Sequence, residues 1–340
     1  MALTAAVAVI AIAILIYRWQ STSFQWSVFA GTFLHVKPWW MLVAVVLCLA
    51  TYAGRALRWR VMVQPLKADP SLWNILAATV IGFTAIVLFG RPGELVRPYL
   101  IANKEKLPFS SQVAAWMLER IYDLLLVLLI FGISLSRVSH SHIQTGAALG
   151  WVLRVGGYVA GCAGFACLVL LILFSRISPA GAQRLLDSVS FFPPAWRSRA
   201  ANFLGAFFHG MQSTRSFGFV AQLLMYTFLE WGLIAASILC LFKAFPATAG
   251  LSPVDVFVFL GFVSFGSAIQ IPGIGGGMQV AAILIFRELF HLSLEASTSL
   301  ALVVWLFSFV VIVPFGFFLA FHQGIRWRKL KQIETETPVL

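Results

Sequence analysis

The chain has 340 residues, 60% of them hydrophobic and only 11% charged, with a mean hydropathy of +0.91. A soluble domain is nearer half apolar and a quarter charged, so a water-soluble globule, a disordered chain, collagen and a coiled coil are all excluded. The 24 Lys and Arg against 12 Asp and Glu give a net charge of +12. In so apolar a chain that excess is expected in cytoplasmic loops facing anionic inner-leaflet lipid, and nucleic acid is not expected as a partner.

Eight apolar stretches follow in order, at about 2–17, 39–54, 72–90, 112–135, 151–174, 219–242, 254–290 and 297–321. Long apolar runs without two-residue alternation specify helices rather than barrel strands. The first stretch starts at Ala2 without a basic flank or a clear cleavage site, and reads as a retained helix. The third meets Gly90-Arg91-Pro92-Gly93-Glu94, then turns apolar again through Ile101. The seventh meets Pro272-Gly273-Ile274-Gly275-Gly276-Gly277, then runs apolar to Phe286. Proline removes a helical donor and glycine resists helix, so both must break. Each reads as a re-entrant hairpin, at about 72–102 and 254–290, its broken backbone buried in protein or lining a wet cavity.

The expected fold is therefore an all-α polytopic membrane bundle, with about six full spans and two re-entrant helical hairpins in an inverted-repeat arrangement. One domain covers 1–325, with a basic cytoplasmic tail over 326–340. With both termini inside, fifteen Lys and Arg fall in cytoplasmic segments and five outside. Arg55, Arg58 and Arg60 are counted among the cytoplasmic ones. A full crossing of the third stretch would put the five arginines of 175–218 outside, against the positive-inside rule. Within a segment at about 180–215, Trp196, Ala200, Phe203, Leu204, Phe207, Phe208 and Met211 form a helical stripe. This is an amphipathic helix, either on the inner leaflet or packed on the bundle. Trp39, Trp40, Trp59, Trp73 and Trp151 stand near span ends and read as an interfacial belt. Cys48, Cys162, Cys167 and Cys240 lie inside apolar runs and read as small buried hydrophobes.

Charges at membrane depth are the main functional clue. Glu94 and Arg97 follow the first break, Glu119, Arg120 and Asp123 share one span, and Glu230 is central in another. Each costs about 2.5–3.5 kcal/mol to insert, so they must pair or line water. One polar pocket is expected, with Arg91, Arg97 and Arg120 offset by Glu94, Glu119 and Asp123. Two readings stand: ion pairs that lock helices, or a site for a lipid headgroup whose phosphate suits the planar arginine fork. The second break carries no charge. Its glycines are read as an anion-binding nest, a hinge, or plain packing. His140-x-His142 lacks a third ligand nearby, and no P-loop, HExxH or Gly-x-Ser-x-Gly occurs, so no metal or cofactor is expected.

Gly90-Arg91-Pro92-Gly93-Glu94-x-x-Arg97, then Glu119-Arg120-x-x-Asp123 and Ile271-Pro272-Gly273-x-Gly275-Gly276, resembles the lysylphosphatidylglycerol synthase/flippase transmembrane region family. The likeness spans about 30–325. It implies a multi-spanning inner-membrane protein that moves lipids. The best-understood members also carry a soluble aminoacyl transferase. This chain stops at Leu340, so aminoacyl transfer is not expected. Relatives lacking that domain belong to lipid, hopanoid or glycan-lipid pathways, so the cargo is not inherited. The second motif departs from the common proline-glycine-glycine form.

The expected function is thus a flippase-like transporter of a phospholipid or a prenyl- or hopanoid-type lipid. The substrate-binding set is Arg91, Gly93, Glu94, Arg97, Glu119, Arg120, Asp123, Glu230, Pro272, Gly273, Gly275 and Gly276. The alternatives are an intramembrane lipid-modifying enzyme, with Glu119 and Asp123 as acid and base, and a non-catalytic partner in a lipid or cell-envelope complex. A homo-oligomer and a lipid-biosynthesis partner protein both remain open.

Overall fold

A computed structural model describes residues 24–140, 217–267, 270–271 and 275–324, with single positions and one short helical stretch between 155 and 205. The first apolar stretch, the amphipathic segment except Gly205, Trp151, Arg154, His142, Pro272, Gly273 and the basic tail lie outside the described residues.

The described chain is helical. The helices are α1 (Trp26–Gly31), α2 (Pro38–Val63), α3 (Leu72–Phe89), α4 (Val96–Glu105), α5 (Phe109–His140), α6 (Phe217–Ala244), α7 (Pro253–Gly266), α8 (Gly277–Glu288), α9 (Leu294–Trp305) and α10 (Val313–His322). A π-helical turn, Leu306–Val310, joins the last two. Helix starts follow local chemistry. Pro38 opens α2 at a position whose N–H has no helical partner. Ser71 caps α3, Ser293 caps α9, and Ser252 with Asp255 forms a reciprocal capping box on α7.

Four of these helical segments are long and apolar enough to cross a membrane: Pro38–Val63, Leu72–Phe89, Gly218–Ala244 and Leu294–His322. The outer surface is correspondingly apolar, with Phe321 89% and Val280 68% exposed. In water such a surface would aggregate, whereas against acyl chains it is solvated. Trp39 and Trp73 are exposed near the starts of α2 and α3, where an interfacial belt places them.

Long-range bonds fix which ends lie together. α2 and α6 run antiparallel: the Lys37 N–H donates to the Ala244 carbonyl at 2.9 Å, and Ser237 donates to the Ala44 carbonyl at 2.8 Å. The α2 start, the α6 end and the α9 start therefore share one face, joined by the Gln25 N–H donating to Glu295. On the other face, Lys104 at the end of α4 meets Gln323 just past α10.

Both broken stretches form helical hairpins. α3 stops at Gly90, whose φ of +72° suits glycine, and Arg91–Leu95 continues as a 3₁₀ turn before α4. α4 folds back along α3, and a Cβ on Gly82 would sit 2.6 Å from Arg97 Cβ. Glu105, at the end of α4, accepts from Lys67 (2.5 Å), Asn74 (2.8 Å) and the Ser71 N–H (3.3 Å) at the start of α3. The chain thus enters and leaves this hairpin on one face. In the second, Gly266 of α7 packs on Gly277 and Ala281 of α8, and the Phe259 and Phe286 rings lie 5.0 Å apart. A two-residue antiparallel ladder, Gln270↔Gly276 and Ile271↔Gly275, closes its tip. Its mouth lies beside the α6 end, where Lys243 donates to the Ala249 and Leu251 carbonyls. The hairpins therefore open to opposite faces, and their tips meet where Arg91 donates to the Ser267 carbonyl at 3.5 Å.

The Glu105 knot carries a pH signature. Burial pushes its carboxyl pKa up, but the hydrogen bonds from Lys67, Asn74 and the Ser71 N–H outweigh it and leave the group below the usual carboxylate value. A depressed folded value adds stability at neutral pH that is lost as pH falls below the ordinary carboxylate range and through the lowered folded value. Mixed-micelle SDS unfolding of the purified protein is expected to weaken over that window. Glu105→Gln should be less stable at pH 7 by about 1–3 kcal/mol and should lack that acid limb.

Three expectations need correction. The second apolar stretch does not end at residue 54: α2 continues two turns, to Val63, and takes Arg55, Arg58 and Arg60 with it. They are helical rather than loop residues, and Arg58 is only 1% exposed because buried carboxylates neutralise it. Trp59 is fully buried instead of interfacial, its ring under the Arg97 guanidinium at 4.0 Å and its N–H donating to Gln112 at 2.9 Å. Cys162 is exposed, unlike the other three cysteines.

Candidate functional site

The membrane-depth charges converge on α2. Arg58 donates to Glu119 (2.6 Å) and Asp123 (2.6 Å) of α5 and to Thr227 of α6 (3.1 Å), and lies 3.2 Å from Glu230 of α6. Arg55, one turn earlier, pairs with Glu230 at 2.7 Å. Arg97 of α4 meets Glu119 at 2.9 Å and donates to the Arg55 carbonyl at 3.2 Å. Arg120 reaches Asp123 at 3.3 Å and Glu119 at 3.6 Å. Helical spacing explains the convergence. Glu119 and Asp123 share a face of α5 at i, i+4, and Arg55 and Arg58 share a face of α2 at i, i+3.

Arg91 and Glu94 form a separate pair within the 3₁₀ turn, at 2.6 Å, and Glu94 also accepts from the Trp116 N–H at 3.2 Å. Together these groups comprise five guanidinium groups against four carboxylates. Among the described residues, one positive charge is left over in this group.

A cavity of about 260 Å³ lies in front of this network. The first hairpin contributes Phe83, Ile86, Arg91 and Glu94; the second contributes Phe259, Leu260, Val263, Ser264, Ser267 and Met278. α2 adds Arg55, α5 adds Arg120, α6 adds Trp231, and the π-helical turn adds Ser308 and Phe309. Such π turns are frequent at functional sites. The cavity is mostly apolar, with the cations of Arg55, Arg91 and Arg120 and the carboxylate of Glu94 in its wall, the make-up of a small-molecule site with a few placed polar groups.

The expected residues divide accordingly. Arg91, Glu94 and Arg120 line the cavity. Arg97, Glu119, Asp123 and Glu230 stand behind it in the buried network, each engaged by a partner. Gly93 has a packing role: a Cβ there would come within 2.5 Å of the Ala85 carbonyl carbon and 2.6 Å of the Ile86 nitrogen. Gly275 and Gly276 form one side of the tip ladder. Pro272 and Gly273 lie outside the described residues.

Arg55, Arg58 and Trp231 were missed by sequence reasoning. The available signal was the i, i+3 pair Arg55/Arg58 directly behind an apolar run, which reads equally as a positive loop. Arg58, counted from the sequence among the cytoplasmic arginines, is the one guanidinium among the described residues that reaches three carboxylates on two helices.

No curated protein and no solved structure matches the chain. Residues 4–316 match the Lysylphosphatidylglycerol synthase TM region. That match covers most of the chain and the whole of both hairpins and the ion network, so this multi-pass membrane protein belongs to the lysylphosphatidylglycerol synthase transmembrane-region family, a membrane region related to lipid handling.

Proposed function

We propose that the protein is a flippase-like transporter that moves a lipid across the bacterial inner membrane without chemically altering it. The observation that carries this reading is the cation-walled cavity between the tips of two oppositely facing hairpins. A headgroup there would meet Arg55, Arg91 and Arg120, while its tails stay among the exposed apolar side chains. Four hairpin arms of 18, 10, 14 and 12 residues support re-entry. At 1.5 Å per residue the last three fall short of a bilayer core of about 30 Å. Tips that meet from hairpins opening to opposite faces would give two gates to one site, the geometry alternating access needs.

The orientation rests on the sequence. By the positive-inside rule, the arginines of 175–218 and the basic tail support a cytoplasmic mouth for the first hairpin, with Lys67, Lys104 and Lys106. Glu119 and Asp123 are both held by guanidinium groups, which favours a structural role over that of acid and base in a lipid-modifying enzyme. The test is reconstitution into vesicles with a fluorescent phospholipid and an impermeant quencher. The wild-type protein should expose inner-leaflet lipid to the quencher, and Arg120→Ala should slow this at least about tenfold, the loss of one charge-assisted contact to phosphate. Wild-type-like movement in a folded Arg120→Ala protein would falsify the site.

A further inference from the structure

Of the four carboxylates in the network and on the cavity wall, three receive a hydrogen bond at both oxygens. Glu119 accepts from Arg58 and Arg97, Asp123 accepts from Arg58, and Glu94 accepts from Arg91 and the Trp116 N–H. Glu230 is the exception. Its Oε1 lies 2.7 Å from Arg55 Nη2 and its Oε2 3.2 Å from Arg58 Nη2, yet neither oxygen accepts a hydrogen bond among the described residues. The Nη groups of Arg58 are aimed elsewhere, at Glu119, Asp123 and Thr227. A buried carboxylate is costly unless it is both paired and hydrogen-bonded, so Glu230 is the acid whose charge the fold supports least.

The groups that face Glu230 come from two helices. α2 presents Tyr52, Arg55 and Arg58, and α5 presents Glu119 and Asp123. Arg58 is committed to the two acids of α5, which leaves Arg55 as the cation that answers Glu230. Arg55 also belongs to the cavity. It lines the wall, its side chain is 14% exposed, and its guanidinium lies 4.6 Å from the centre of the Phe83 ring on the same wall. One cation is thus shared between a buried acid and an open cavity, and its jointed stem lets the head turn from one to the other.

We infer that Glu230 is a proton site coupled to the cavity: it takes up one proton when Arg55 turns to an anionic group there, and releases it when Arg55 returns. The O–H bond forms at Oε1, the oxygen Arg55 faces, with a proton drawn from cavity water, and it breaks to water on the way back. Arg55 stays a guanidinium throughout. One anion and one proton enter together, so the net charge of the site is unchanged. The two events are tied in both directions. Both carboxylate oxygens are sealed from solvent while Arg55 is in place, so no proton reaches them before it moves. An anion that drew Arg55 away without a proton would strand a bare carboxylate at membrane depth. The consequence for transport rests on the proposed function: a proton gradient would drive an anionic lipid in the direction the proton flows. The proton linkage itself is a property of binding.

Titration calorimetry of the full chain in detergent, run in two buffers of different ionisation enthalpy, counts protons taken up per ligand. The probe is dihexanoyl-phosphatidylmethanol, whose head carries one fixed negative charge and no other ionisable group. The wild-type protein should take up about one proton per bound probe, and its affinity should rise about tenfold for each unit the pH falls. Glu230→Gln, neutral at every pH, should bind without proton uptake and without that slope. Arg55→Gln should also lose the uptake, because no cation is left to hand over. The SDS-unfolding midpoint shows which variants are folded, and the wild-type count stands without either. A wild-type protein that binds the probe without a proton, or does not bind it, overturns the inference. Uptake that survives Glu230→Gln in the folded protein places the proton elsewhere and overturns it too. Vesicles carrying fluorescent phosphatidylmethanol under an imposed pH gradient separate the two levels. Proton-linked binding without lipid movement sinks the transport reading alone, and lipid movement indifferent to the gradient sinks this inference alone.

Discussion

Replacing Arg58 by Ala is expected to be the most destabilising single substitution in the bundle. The side chain is 1% exposed and bonds or ion-pairs with Glu119, Asp123 and Glu230. Removing it leaves three carboxylates close together at membrane depth, with Arg55, Arg97 and Arg120 to hold them from the periphery. Breaking a buried pair by deleting one partner costs about 3–5 kcal/mol, because the remaining charge stays desolvated. The loss should show as a collapse of the SDS-unfolding midpoint and of the monodisperse peak in detergent. Arg58→Lys should not restore it, since one ammonium cannot span two carboxylates with the fork geometry that reaches both at 2.6 Å. Arg91→Ala, in contrast, removes a half-exposed pair worth no more than about 1 kcal/mol. A stable, well-behaved Arg58→Ala protein would show that the three acids are solvated rather than buried.

Gly93→Ala should produce the second large effect, on transport as well as stability. The added methyl would press on the α3 backbone at Ala85 and Ile86, which has no room to yield. The 3₁₀ turn must then lift away from α3, costing about 1–3 kcal/mol or more as in other overpacked cores. Arg91 and Glu94 belong to the same five-residue turn, so lifting it moves two walls of the cavity. Lipid movement in vesicles is expected to fall to the protein-free rate. Gly132→Ala on α5 is the matched control, because nothing lies within 4 Å of its added carbon. That change should be neutral or stabilising by up to about 1 kcal/mol. If Gly93→Ala transports like Gly132→Ala, the turn is not part of the site.

Much of the architecture was legible because the bilayer imposes simple rules. An apolar run that ends in Gly90-Arg91-Pro92-Gly93 has to stop being a helix, and it does so at Phe89. Carboxylates inside apolar runs have to find cations, and Glu119, Asp123 and Glu230 all do. The partner was the illegible part. Arg58 sits past the end of its apolar run, and hydropathy cannot distinguish an arginine in a loop from one pulled inside by three acids on other helices. Trp59 was misread for the same reason. Its neighbours along the chain are polar, but its neighbours in space are Arg97 and Gln112.

By itself, then, the amino-acid sequence determined the all-helical membrane bundle, the site of the first break and the residues whose charges demand compensation, whereas α7, in the second broken stretch, stops at Gly266, ahead of the break expected at Pro272. Burial in lipid penalises every unpaired backbone group and every lone charge, and those penalties can be read one residue at a time. Only the tertiary structure decided which guanidinium answers which carboxylate, that the hairpin tips touch at Arg91 and Ser267, and that Arg55, Arg91 and Arg120 face the cavity while Arg58 and Arg97 do not. Pairing between helices far apart in sequence depends on how their faces rotate and pack against each other, and no local pattern of residues encodes that rotation.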